Sequence, residues 1–71
     1  MVYTLTKEEK IDIINQHLKN LEYSKYNSEI SLIEETAAPE PQAILIDEIQ
    51  GQIDSINAKM SALLSEISAL G

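Results

Sequence analysis

The stretch "IDEIQGQIDSI", residues 46–56, opens an apolar stripe that constrains everything else about this chain. Isoleucines at 46, 49, 53 and 56 are followed at the same spacing by Met60, Leu63, Ile67 and Leu70. Ile46, Ile53, Met60 and Ile67 form one column, and Ile49, Ile56, Leu63 and Leu70 form the other. A straight helix drifts about 20° per heptad away from a strict seven-residue repeat, so a seam held this long implies left-handed supercoiling against another helix. An amphipathic helix on a globular core shows a wider, looser apolar face. The stripe therefore predicts coiled-coil-like packing.

Length then limits the solutions. Seventy-one residues make one small domain, and chains of this size bury too little surface to be stable without a staple. There is no cysteine, hence no disulfide framework and no thiolate zinc site. The single histidine, His17, cannot build a metal site by itself, and its neighbours three and four residues away (Ile13, Ile14, Asn20, Leu21) include no carboxylate. Self-association is the staple left, with Ile46, Ile49, Ile53, Ile56, Met60, Leu63, Ile67 and Leu70 as the expected oligomer interface. Isoleucine in both columns favours more than two strands, and Leu45 and Leu64 widen the seam beside it. The expected assembly is a dimer or trimer of hairpins.

Upstream, Thr6 and Glu9 stand in the capping-box spacing, and Glu8 and Glu9 suit the first turn of a helix. Ile11, Ile14, Leu18 and Leu21 follow at heptad spacing. The next heptad positions, Lys25 and Ser28, are polar, while apolar residues reappear at Tyr26, Ile30, Ile33 and Ala37. The spacing thus predicts a one-residue skip in the register. It is compatible with one helix whose stripe rotates, or with a break near "YSKYNSE", where Ser24, Asn27 and Ser28 favour turns. The absence of Gly and Pro favours one helix over about residues 6–35. Tyr23 and Tyr26, beside the skip, are expected to cover the middle of the bundle.

"TAAPEP", residues 36–41, is the linker, and Pro39 or Pro41 is expected to open a second helix over about residues 42–70. Two helices of about 45 Å each, joined by a short linker, read as an all-α antiparallel hairpin forming one domain over residues 1–71. The segment "MVYTL" before Thr6 reads as a short strand or an arm. Gly51, Ala58, Ala62, Ser65 and Ala69 make a small-residue outer face on the second helix, which reads either as plain surface or as a place where another helix comes close, near the Ile11–Leu21 stretch. Gly51 costs about 1 kcal/mol relative to Ala inside a helix, for which a bend, a close chain contact or plain surface placement are the explanations.

Charge is unevenly placed. Residues 26–58 hold Glu29, Glu34, Glu35, Glu40, Asp47, Glu48 and Asp54 with no base, and account for the whole net charge of −7. That balance argues against direct binding of nucleic acid or an anionic membrane. No apolar run approaches the roughly 18 residues of a spanning helix, and "MVYTLTKEEK" lacks the basic-then-apolar order of a secretion signal. No phosphate loop, calcium loop or Glu-x-x-His pair occurs, so no catalytic residue, cofactor or metal is expected. In a hairpin the acids Glu34, Glu35, Glu40, Asp47 and Glu48 gather at the turn, where they are expected to bind a protein partner. Glu34 and Glu35 oppose the dipole at the end of the first helix. Salt is therefore expected to stabilise the fold, as is neutralising both residues.

Residues 5–35, "LTKEEKIDIINQHLKNLEYSKYNSEISLIEE", resemble small uncharacterised helical proteins of tailed bacteriophages, notably those of marine cyanobacterial phages. The resemblance carries no binding motif and implies a host cytoplasm or a virion as the setting. The functional expectation is a non-enzymatic, cytoplasmic structural or interaction protein. The alternative is an acidic inhibitor that mimics nucleic-acid charge on a host enzyme.

Overall fold

A computed structural model of the chain describes residues 4–71. Two helices, α1 (Lys7–Thr36) and α2 (Ala43–Leu70), pack against each other as a hairpin. The part of "MVYTL" that would decide between strand and arm, residues 1–3, lies outside the described residues, and residues 4–6 lead into α1 without regular structure.

The capping box forms as the spacing predicts. Thr6 Oγ1 accepts from the Glu9 backbone N–H at 3.1 Å, and Glu9 Oε1 accepts from the Thr6 N–H at 3.0 Å. Two donors orphaned at the helix start are thereby satisfied. The Thr6 backbone N–H donating to the Glu9 carboxyl, with the Thr6 hydroxyl as a lesser contribution, holds that carboxyl below its ordinary pKa.

α1 runs unbroken through residues 24–28. Ser31 Oγ donates to the Asn27 carbonyl at 3.1 Å, satisfying its hydroxyl inside the helix rather than in a competing turn. The register skip is absent. The half-buried positions of α1 are Ile11, Ile14, Leu18 and Leu21, then Lys25, Ser28, Leu32 and Glu35, at unbroken heptad spacing, with Glu29 beside them. Tyr26, Ile30 and Ile33, expected in the seam, are exposed at 62%, 38% and 62%. α2 supplies the reason. Its strict heptad offers one straight seam, and a skip in α1 would have to rotate that helix by about 100° halfway along. The pairing keeps its register and accepts polar residues instead. A lysine in such a place covers apolar surface with its methylenes while its ammonium stays wet.

The linker differs from expectation in one respect. Neither proline opens α2, since Pro39 and Pro41 both precede Gln42, the N-cap. Pro41 lies two positions before Ala43, the first residue of the helix. The Gln42 N–H then donates to Glu35 Oε1 at 3.1 Å, so the α1 carboxylate meets a linker amide. At the close of α1, Thr36 Oγ1 donates to the Leu32 carbonyl at 2.7 Å and Ala37 N–H to the Ile33 carbonyl at 3.0 Å.

The product is a rod of 60 × 19 × 16 Å. Ile53 is the one buried residue among those described, at 7% exposure. Leu21, Ser24 and Ser28 share a groove with Gly51, Gln52, Ser55 and Ile56, which sets Ile53 at mid-length beside the polar stretch of α1.

Two expectations follow. Ile53→Ala costs about 2–3 kcal/mol in urea unfolding, as for truncation of a buried isoleucine, while Ile33→Ala costs within about 0.5 kcal/mol, as for a surface change. Equal losses would reinstate the skipped register. Glu9→Gln keeps the capping pair but removes its titration. Because the folded-state pKa of Glu9 is depressed, its contribution is present above the ordinary glutamate value and is lost as pH falls through the depressed one. Thermal melts monitored by circular dichroism at falling pH are expected to show a shallower acid limb for Glu9→Gln than for the parent.

Candidate functional site

Three surfaces are candidates, and each derives from how the seam is spent. All eight seam residues of α2 lie on its more sheltered side. Ile53 is buried, and Ile46, Ile49, Ile56, Met60, Leu63, Ile67 and Leu70 are half-buried. One partner helix covers them only in part. Beside them, Leu45 and Leu64 are exposed at 38% and 54%. The hairpin shelters its own seam and leaves the seam's flank open.

The small-residue face of α2 is open surface, the plainer of its two readings. Gly51, Ala58, Ala62, Ser65 and Ala69 are all exposed and do not pack on the Ile11–Leu21 stretch, because α1 occupies the seam. A Cβ built on Gly51 meets nothing within 4 Å. Its backbone has no positive φ. Nothing within the hairpin requires glycine there.

The acidic turn is the second surface. Glu34, Glu40, Asp47 and Glu48 are exposed, whereas Glu35 is half-buried and accepts the Gln42 N–H. Four of the five expected partner-binding acids thus face solvent, and the fifth ties the linker to α1. Asp54 accepts from Gln50 Nε2 at 3.2 Å one turn away on α2.

The third surface was legible in the sequence but attributed to the seam. Tyr23, Tyr26, Ile30 and Ile33 are spaced three, four, three and are exposed at 65%, 62%, 38% and 62%. Within the single hairpin both tyrosines are exposed. These residues form a second stripe, about 150° around α1 from the seam at 3.6 residues per turn. Lys19, Glu22, Tyr23 and Tyr26 line a shallow pocket at its start, and Leu32, Ile33, Thr36 and Ala37 line another at its end.

His17 is exposed on α1. Among the described residues, no cluster of three His, Asp or Glu side chains is arranged to hold a metal ion. No described helix is long and apolar enough to cross a membrane. No protein-family model, curated protein or solved structure matches the chain.

The acids at the turn therefore separate by role. Glu35→Ala is expected to lower stability by about 1 kcal/mol, the usual net value of one such hydrogen bond. Glu34→Gln is expected to raise it by a few tenths of a kcal/mol, by removing a charge opposed to the helix dipole. Added salt is expected to raise the melting temperature of the parent and to raise that of Glu34→Gln less. Equal effects of the two substitutions would show that the Glu35 hydrogen bond does not form in solution.

Proposed function

We propose that the chain is a non-enzymatic structural or interaction protein that self-associates along its seam and presents its acidic turn to a protein partner. The observation that carries the first part is a surplus of surface. The accessible surface is 5513 Å², whereas a compact protein of 7.9 kDa exposes about 4,400 Å² by the usual mass scaling. The excess is comparable with the roughly 800 Å² per partner that a standard stable interface buries. Leu45 and Leu64, open beside a half-covered seam, mark where further helices enter. A dimer of hairpins closes this into a four-helix bundle, and a trimer widens it.

The acids support the second part by position. They lie in the half of the rod that holds the turn, so assembly with the turns at one end multiplies them there. A mimic of nucleic-acid charge would spread carboxylates along the whole rod, and the opposite half carries none in excess. The phage resemblance of residues 5–35 gives the proposal its setting, a host cytoplasm or a virion.

Sedimentation at micromolar concentration is expected to show a dimer or trimer. Ile53→Asp or Ile56→Asp is expected to abolish assembly together with most helicity, since each buries an unpaired charge. Gly51→Ala is expected to raise stability by about 1 kcal/mol per chain with the oligomeric state unchanged, because Gly51 lies outside the seam. A compact, thermally stable monomer would overturn self-association. Dissociation by Gly51→Ala would move the interface to the small-residue face.

A further inference from the structure

We propose that the outer stripe of α1, Tyr23, Tyr26, Ile30 and Ile33, is a docking face for a basic amphipathic helix of another protein. This rests on the reading that the turn end meets a protein partner, and it names that partner's chemistry.

The spacing selects a helix. Apolar groups three and four residues apart on a helix surface mesh with a second helix carrying the same repeat. From Tyr23 to Ile33 the stripe spans about 15 Å, at the helical rise per residue, so it matches about three turns of a partner. Two of its four anchors are tyrosines, which supply large contact area and a polar tip at low entropic cost.

The flanks select the sign. Glu22 and Glu34 are exposed beside the stripe, and Glu29 is half-buried beside it. Lys19 stands at its start, next to Tyr23 and Tyr26. From Tyr26 onward no base occurs until Lys59. A helix with apolar residues at this repeat and lysine or arginine on its flanks fits both features. A second copy of this chain does not, because pairing two such stripes would set Glu22, Glu29 and Glu34 of each against one another. Anionic lipid headgroups are disfavoured for the same reason. The seam flank and the outer stripe thus take different occupants: copies of this chain on one side of α1, a basic helix on the other.

The probe is a peptide of leucine and lysine, roughly 18 residues and about 27 Å of helix, with leucines three and four apart and a single tryptophan. The full chain contains no tryptophan, so peptide fluorescence reports binding alone. Saturable micromolar binding with a blue shift is expected. Tyr26→Ala with Ile33→Ala is expected to weaken it by at least about tenfold, with helicity and sedimentation of the protein unchanged. Glu22→Gln with Glu34→Gln is expected to weaken it and to reduce its salt dependence. Equal binding of a peptide with the leucines scrambled, or of one with glutamate in place of lysine, would overturn the proposal. So would loss of self-association in the Tyr26→Ala, Ile33→Ala variant, which would make the stripe the contact between copies. If the leucine–lysine peptide fails to bind while Glu34→Gln still weakens capture of a partner from lysate, the stripe is wrong and the acidic-turn reading stands.

Discussion

Eight apolar residues at strict heptad spacing on α2 leave the chain little choice. A helix with that seam must lay it against another long helix, and the only one among the described residues is α1. The pairing is then set by α2, whose every seam position is apolar, and not by α1, whose seam includes Lys25, Ser28 and Glu35. Where the two helices disagree, the more apolar one wins. Burying isoleucine gains about 25 cal/mol per Å², whereas a serine or a lysine stem at a half-open position costs little. Ile53 becomes the best-sheltered residue beside the very stretch of α1 that is least apolar.

That asymmetry explains which features could be read beforehand. The capping box and the helical hairpin follow from local chemistry or from one helix considered alone, and the structure has both. The α1 register did not follow, because a helix read by itself is assigned its most apolar stripe. Tyr26, Ile30 and Ile33 make a better stripe than Lys25 and Ser28. Only the partner helix decides between them, and partner choice is not local. The prolines misled for a related reason: they mark the boundary of α2, but the start of the helix depends on a long-range hydrogen bond from Gln42 to Glu35. The candidate surfaces were legible in part. The acids at the turn could be located from the topology, while the separate role of Glu35 required its geometry.

Displacing the expected seam residues to the outside changes what α1 is. Over its C-terminal half the apolar stripe lies on the outer side, while the side against α2 is largely polar, with Leu32 set among Lys25, Ser28 and Glu35. Such a helix is suited to a position inside a layered assembly, with α2 on one side and a further element on the other. The rod has little interior of its own. Only one described residue, Ile53, is buried.

The two stripes also share a backbone. Any occupant that orders the C-terminal half of α1 from outside acts on the same helical turns that hold Leu32 and Glu35 against α2, and through Glu35 on the linker amide of Gln42. Under the proposed docking, binding outside and closure inside would be coupled equilibria. Whatever free energy an outer occupant contributes to straightening α1 is returned, by reciprocity, as tighter closure of the hairpin, and a hairpin already closed holds that occupant more firmly. On that proposal, the exposed stripe would make α1 a lever between two faces that never touch each other.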